Sequence, residues 1–144
     1  MEDVRFSRDG SLVAFSIGDK VLVYVTAILE KSKQVWRENN MTYNDNIKKA
    51  LEGTLKACIT YPRDVIVGNK PLHNVMVKKV VFHDNNNQIF AGLSDKKVYC
   101  SEISTDAKPE AIADFGEAIA SMAFSNMVLA VAGLKKVCLY SQQQ

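Results

Sequence analysis

The sequence predicts an all-β protein built from repeated antiparallel sheets. Short apolar segments separated by turn residues recur three times in one order: strand, turn, strand, tight turn, strand. Aromatic residues near the start of these segments recur at a spacing close to 40 residues. A repeat of this length indicates a series of similar sheets packed on one another.

The first repeat lies at the start of the chain. Residues 4–15 predict two strands separated by a turn, and residues 19–25 predict a tight turn followed by a third strand. The run 12–15 is apolar at every position, which is typical of a strand covered on both faces. Gly18 precedes the second turn, where a residue with positive φ is favoured.

Two later segments, 80–102 and 122–141, repeat this plan. In both, a strand containing phenylalanine leads to a second apolar strand and a turn with lysines before the third strand. Gly92 and Gly133 precede these turns, and we expect them to serve tight hairpins. The apolar run 128–132 is also expected to be covered on both faces.

A further unit is expected between the first repeat and the later two. Phe6 and Phe82 lie 76 residues apart, about twice the repeat, and Tyr43 lies 37 residues after Phe6. Tyr43 would then mark an inner strand, and 55–59 would be a third strand. The predicted units of a single domain, 1–144, are 1–39, 40–78, 79–116 and 117–144.

The second unit also has a helical interpretation. Apolar residues recur at helical spacing between Ile47 and Leu55, and Asn44 can cap a helix that begins there. A helix near 47–57 would make the fold α+β, with three β units and an inserted helix. Strand and helix both remain open at this point.

A variable fourth strand is expected to follow the third strand of a unit. The last unit ends soon after its third strand, at residue 141, which leaves an open sheet edge. We expect such an edge either to self-associate or to be completed by more chain in a longer protein. The fourth-strand candidates are 33–37, then 65–67 or 75–77, then 110–115.

The repeat resembles the WD-repeat family. One match is the pattern Val-x-Phe-Ser-x-Asp-Gly at residues 4–10. Tyr24, Ser101 and Tyr140 occupy the position of the family's tryptophan, and Glu102 that of its aspartate. The matching strand ends are Leu22-Val23-Tyr24, Tyr99-Cys100-Ser101-Glu102 and Cys138-Leu139-Tyr140.

The resemblance implies a β-propeller. Closed propellers usually contain four to eight sheets of about 40 residues each. A chain of 144 residues is therefore expected to form an incomplete ring, or a ring that closes by oligomerisation.

Composition disfavours several classes of protein. The net charge of +2 is too balanced for a general nucleic-acid binder, so nucleic acid is a disfavoured partner. No apolar run approaches the roughly 18 residues that cross a bilayer, and the polar start is no secretory signal. We expect a soluble, cytoplasmic protein, with the nucleus also open. Cys58, Cys100 and Cys138 are expected to be reduced structural thiols.

The sequence carries no recognisable catalytic constellation. Its two histidines, His73 and His83, lie in predicted loops or turns and have no cysteine at the spacing of a zinc site. It has neither a glycine-rich phosphate loop nor a Gly-x-Ser-x-Gly elbow. We therefore expect no enzymatic activity, no metal and no cofactor.

Lysines recur at one place in the repeat, the turn before the third strand. If these turns share one face, they form a basic rim together with two lysines that enter the first strand of a later unit. Trp36, on an expected outer strand, is a further candidate contact residue, with packing in the core as the alternative. The predicted binding residues are Lys20, Lys78, Lys79, Lys96, Lys97, Lys135, Lys136 and Trp36.

Two functions follow from this interpretation. The first is a non-catalytic scaffold that binds another protein or an acidic peptide through one propeller face. The second is an anion-binding module that uses the lysine rim for a phosphoinositide head group or a phosphopeptide. Salt would separate them, because screening weakens electrostatic binding. Self-association through open sheet edges is a further expectation.

Overall fold

The computed structural model describes residues 2–27, 32–51 and 55–142. In these ranges 49% of the residues lie in strands and 10% in helices, so the predicted all-β class is confirmed. The elements in chain order are β1 (Val4–Phe6), β2 (Leu12–Ile17), β3 (Lys20–Val25), α1 (Lys33–Glu38), α2 (Asp45–Ala50), β4 (Leu55–Thr60), β5 (Val65–Val67), β6 (Lys70–Leu72), β7 (Val77–Phe82), β8 (Gln88–Leu93), β9 (Lys97–Glu102), β10 (Glu110–Asp114), β11 (Ser121–Ser125), β12 (Val128–Ala132) and β13 (Val137–Ser141).

Antiparallel pairing groups the strands into three meanders and a ribbon. In sheet 1 the neighbouring strands follow the order β1-β2-β3-β4, in sheet 2 the order β7-β8-β9-β10 and in sheet 3 the order β11-β12-β13. Strands β5 and β6 form the ribbon. The first strands of the three sheets are neighbours, because β7 contacts both β1 and β11. The arrangement is propeller-like, and the described strands do not close into a ring.

The sheets pack face to face, with side chains alternating between two neighbouring layers. Leu12 faces sheet 2, whereas Val13 faces the helices. In the same way Ile89 faces sheet 1 and Phe90 faces sheet 3. The layers therefore follow the order helices, sheet 1, sheet 2, sheet 3. The inner strands of sheets 1 and 2 are covered on both sides, which explains their continuous apolar runs.

An insertion that contains both helices lies between β3 and β4, where a second unit was predicted. β4 pairs with β3, so residues 40–78 do not form a separate unit of three or four strands. Residues 55–59 belong to the fourth strand of sheet 1, and 65–72 form only the two-stranded ribbon. Tyr43 lies between α1 and α2, with its ring 5.8 Å from that of Phe15. Its placement on an inner strand was therefore wrong. The three phenylalanines Phe6, Phe82 and Phe124 do lie near the ends of equivalent first strands.

The two interpretations of 47–57 were each correct in part. Helix α2 begins at Asp45, and the Asn44 side chain accepts a hydrogen bond from the Ile47 backbone N–H at 3.1 Å, as expected of a cap. Residues 52–54 lie outside the described ranges, and β4 follows from Leu55. The inserted helices are short, so the fold remains all-β and not α+β.

The fourth-strand predictions had mixed outcomes. Residues 110–115 do contain the fourth strand of sheet 2, β10. Residues 33–37 lie in α1, residues 65–67 form β5 of the ribbon, and Val77 begins β7. These three candidates were wrong because sheet 1 takes its fourth strand from beyond the insertion.

The glycines before the turns serve two different purposes. Gly18 has a φ of 58°, as predicted for a tight hairpin. Gly92 lies inside β8 and has no positive φ, so its predicted role in a turn was wrong. A Cβ at Gly92 would lie 2.9 Å from the Cδ1 of Ile119, closer than such contacts allow. Gly92 therefore permits the close approach of sheet 3 to sheet 2.

Candidate functional site

The third strands of sheets 2 and 3 correspond residue by residue. Each pairs with the second strand of its sheet in the same register. Val98 and Val137 lie opposite the fifth residue of that second strand, and Cys100 and Leu139 lie opposite the third. Val137 is therefore the counterpart of Val98, and Leu139 is the counterpart of Cys100.

These counterparts differ in burial. Val98 is 0% exposed because sheet 3 packs over it, whereas Val137 is 66% and Leu139 69% exposed. Among the described residues, no element packs on this side of sheet 3. We call this side the open face; the apolar residues on it are Ala123, Val128, Ala130, Ala132, Val137 and Leu139.

The turn that precedes β13 adds a further apolar side chain. Leu134 stands where the corresponding turn of sheet 2 has Asp95, since each is followed by two lysines and a valine. Asp95 is buried, and its carboxylate accepts a hydrogen bond from the Tyr99 hydroxyl at 2.7 Å. Leu134 makes no such bond and is 96% exposed. This turn therefore presents a leucine to solvent at the start of β13.

The outer edge of β13 is unpaired in the described part of the chain. Sheets 1 and 2 have four strands, whereas sheet 3 has three, so β13 has β12 alone as a neighbour. The Gln142 N–H donates to the Met127 carbonyl at 2.7 Å, and hydrogen-bonded pairs alternate along an antiparallel ladder. The backbone groups of Val137, Leu139 and Ser141 therefore point away from β12, toward the free edge.

The other outer edges carry features that discourage pairing. β10 begins with Glu110, ends with Asp114 and pairs irregularly with β9, as at a bulge. β4 carries Lys56 and also pairs irregularly with its neighbour. Charges and bulges commonly protect edge strands from unwanted pairing. β13 has no charged residue and a regular register, so it is the outer edge best suited to accept another strand.

Part of the predicted lysine rim is brought together at one cleft. Lys78, Lys79 and Lys96 line a cleft of about 260 Å³. Glu2 lines the same cleft, and its carboxylate lies 3.4 Å from the Lys78 ammonium. The cleft is therefore of mixed charge.

Lys20 lies at a different place. Its ammonium is 3.2 Å from the Asp19 carboxylate, and it borders a groove of about 520 Å³ between sheet 1 and α2. Lys48 and Lys49, which the sequence analysis did not select, also border this groove. The groove adjoins the helical insertion, at the opposite end of the stack from the open face.

The remaining lysines lie on sheets 2 and 3. Lys97 starts β9 opposite Asp114 of β10. Lys136 holds its ammonium 4.8 Å from the centre of the Phe115 ring, a cation–π contact. The Lys135 backbone N–H donates to the Glu117 carboxylate. The lysines thus do not form one continuous basic rim, and their role in binding stays a prediction.

Trp36 lies on α1, so its predicted place on an outer strand was wrong. Its ring centre is 6.3 Å from that of Tyr43, within the apolar cluster between the helices and sheet 1. The indole Nε1 is buried without a hydrogen-bond partner among the described residues. A contact role for Trp36 stays a prediction.

The two histidines lie in different environments. His83 is buried, with its ring centre 4.4 Å from that of Phe124, and its Nδ1 accepts a hydrogen bond from the Asn85 backbone N–H. Burial lowers the pKa of His83, and the charge of Asp84 opposes that shift. His73 is exposed, 3.0 Å from the Asp64 carboxylate. His83 was expected to be a surface or turn residue. It does begin a turn, since its carbonyl accepts a hydrogen bond from the Asn86 N–H at 3.1 Å, but it is not at the surface.

Within the described ranges, no three His, Cys, Asp or Glu side chains are grouped as metal ligands. None of their helices combines the length and the apolar character that crossing a bilayer requires. Cys58, Cys100 and Cys138 are free thiols and partly buried.

The sequence analysis missed the open face. A detectable signal existed, because β13 is apolar at four consecutive positions, 137–140, and so carries apolar side chains on both faces. The run 128–132 was expected to be covered on both faces, but only Leu129 and Val131 are buried. An apolar strand in the last sheet of a stack therefore marks a candidate contact surface.

No protein-family model matches this chain, and a search of curated proteins gives no significant match. The resemblance to the WD-repeat family therefore rests on the residues quoted above and stays a prediction.

Proposed function

We propose that this protein is a non-catalytic scaffold that binds another protein at the open face of sheet 3. The observation that carries the proposal is the exposure of Val137 and Leu139, whose counterparts in sheet 2 are covered. Exposed contiguous apolar surface commonly marks a protein contact site. Full burial of one such side chain contributes about 1.5–3 kcal/mol.

The helical insertion limits how copies of this chain could assemble. In a ring closed head to tail, the open face would pack on the outer side of sheet 1, which carries Phe15 and Tyr24. That side is already covered by the insertion, where Ile47 is wholly buried. This arrangement argues against a head-to-tail ring and supports a different protein as the partner.

The environments of the histidines support a non-catalytic role. The His83 ring packs against Phe90 and Phe124, with ring centres 6.1 and 4.4 Å away, and is buried. A catalytic acid or base needs access to the proton that it transfers. His73 has such access, but its nearby Asp64 is itself highly exposed, which gives no shielded site.

The anion-binding alternative has weaker support. Glu2 and Asp19 each form an ion pair with a lysine of the predicted rim, which reduces the local positive charge. A binding site made of lysines would lose most of its affinity between low and high salt. Binding at the open face depends mainly on apolar burial and should change little over the same range.

Photo-crosslinking can test the scaffold proposal. A photoreactive residue at position 139 should attach covalently to a partner protein in cells, and mass spectrometry then identifies it. The matched control is position 66, because Ile66 is 71% exposed but lies on the ribbon. A specific partner captured at 139 and not at 66 is the expected result. Capture at 66 alone, or at neither position, would contradict the proposal.

A further inference from the structure

The geometry points to a partner segment that adds itself to β13 as a fourth, antiparallel strand of sheet 3. The segment is apolar beside Leu139 and carries an acidic residue opposite Lys136. This inference rests on the proposed function, since it names the kind of partner that binds at the same end of the stack. Four observations lead to it: the free backbone groups, the unprotected edge, the exposed side chains and a lysine that forms no ion pair with another described residue.

The free edge of β13 offers hydrogen-bonding groups at regular intervals. The N–H and C=O groups of Val137, Leu139 and Ser141 point away from β12. A strand laid along them would form the main-chain bonds that commonly provide affinity in strand addition. Sheet 3 would then have four strands, as sheets 1 and 2 do.

The exposed side chains indicate what the added strand carries. Residues directly opposite on neighbouring strands have Cβ atoms about 4.5–5.5 Å apart, close enough for an apolar side chain to cover its neighbour. Val137 and Leu139 are both more than half exposed and lie on the same side of β13. An apolar residue of the partner strand on this side would shield them from water.

Sheet 2 indicates where the charge of the partner lies. In sheet 2, Asp114 of the fourth strand lies opposite Lys97. Lys136 of sheet 3 corresponds to Lys97, because Lys136 directly precedes Val137 and Lys97 directly precedes its counterpart Val98. Neither Lys135 nor Lys136 forms an ion pair with another described residue. An acidic residue opposite Lys136 would reproduce this cross-strand placement of opposite charges.

A second copy of this chain fits this edge less well. If two β13 strands paired antiparallel around Leu139, the residues opposite Lys136 would come from the end of the other β13. The segment 137–142 contains no acidic residue, so the lysines would remain unpaired. The charge pattern therefore favours another protein over self-association.

The probe for this inference is a synthetic peptide with the sequence of residues 109–116 of this chain, which contains β10, but with Glu110→Leu, because Glu110 lies opposite Cys100, the counterpart of Leu139. Amide exchange rates of the full chain are measured by NMR with and without the peptide. The peptide should slow exchange at Val137, Leu139 and Ser141 and leave Val98 unchanged. A peptide with Asp114→Lys should bind about threefold to tenfold more weakly, the size of a cross-strand charge effect.

A pair of protein variants tests whether the backbone edge is used. Ser141→Pro removes an outward N–H without touching the bonds to β12, so it should abolish peptide binding. Ser141→Ala keeps the N–H and should bind as the unmodified protein does. Circular dichroism and unchanged NMR signals from the amides of sheet 1 verify that both variants are folded. Equal binding by the two variants would overturn strand addition.

The outcomes separate this inference from the proposed function. If the peptide protects none of the three edge amides while position 139 still crosslinks to a partner, strand addition is wrong and the scaffold proposal stands. If the edge amides are protected without peptide and the molecular mass is doubled, the occupant is a second copy and the inference is overturned. Protection at the edge without any crosslinked partner supports strand addition and counts against the scaffold proposal.

Discussion

The two ends of the sheet stack differ in how an apolar face is covered. At the helical end, the face of sheet 1 that carries Phe15 and Tyr24 is covered by the insertion, and Ile47 is wholly buried there. At the open end, Val137 and Leu139 face solvent. A sheet in a stack needs a cover on both faces, and the described residues provide that cover at one end only.

The size of the side chains follows the same division. The face toward the helices carries the large residues Phe15 and Tyr24, whose rings lie 5.7 Å apart. The inner two strands of the open face carry small residues such as Ala123 and Ala130. The covered face therefore packs through large aromatic rings, whereas the inner strands of the open face carry small side chains.

Shortening one large residue at each end should produce the largest difference. Phe15→Ala removes a buried ring and should lower the free energy of unfolding by about 3–5 kcal/mol. Leu139→Ala removes exposed atoms and should change it by less than about 0.5 kcal/mol. Urea unfolding followed by circular dichroism measures both. Similar losses in the two variants would show that the open face is covered in the isolated chain.

Adding atoms in the second strands should produce the next largest difference. Gly92→Ala places a methyl group against Ile119 and Met122 and should destabilise the protein by about 1–3 kcal/mol. Ala132 is the counterpart of Gly92 on the open face. Ala132→Val should be tolerated within about 0.5 kcal/mol. Thermal unfolding of both variants provides the measurement, and a larger loss for Ala132→Val would be inconsistent with an open face.

Stability should depend on pH through His83, which lies between sheets 2 and 3. Burial lowers its pKa in the folded protein below the ordinary value of 6.5, so the neutral form is favoured on folding. The stabilisation is fully present above pH 6.5 and is lost as the pH falls below it. Ser125, the counterpart of His83 after Phe124, has no such group. His83→Gln should reduce the change in the free energy of unfolding between about pH 7.5 and 5.5. An unchanged pH dependence in this variant would mean that other groups cause it.

The smallest effect is expected at the border of the open end. Lys136→Gln removes the cation–π contact with Phe115, which contributes about 0.5–1 kcal/mol at an exposed site. Lys135→Gln is the matched control, since its ammonium makes no such contact with a described ring. The difference between the two variants in urea unfolding measures the contact. A loss that is equal for both would point to net charge alone.

The sequence was sufficient to predict the elements whose local pattern agrees with their final place. The strands of sheets 2 and 3 show short apolar runs, turns with lysines and a regular spacing, and all of them form as expected. The insertion could not be located in this way. Tyr43 satisfies the repeat spacing by coincidence, and its ring packs on Phe15 through contacts that spacing does not encode.

The open face was beyond local reasoning for a related reason. Val98 and Val137 each follow a pair of lysines, yet Val98 is wholly buried and Val137 is 66% exposed. What differs is whether another sheet follows, and this depends on the order of the whole stack. The lysines recur at one place in the sequence repeat, yet the structure divides them among separate places.

Thiol labelling at two corresponding positions tests most directly whether the stack has one open end. One variant keeps Cys100 as its only cysteine, and another replaces all three native cysteines and carries Leu139→Cys. Burial raises the pKa of the Cys100 thiol, and sheet 3 partly covers it, so its labelling should be slower than at position 139. Equal rates at the two positions, or protection at position 139 in the monomeric chain, would contradict the account.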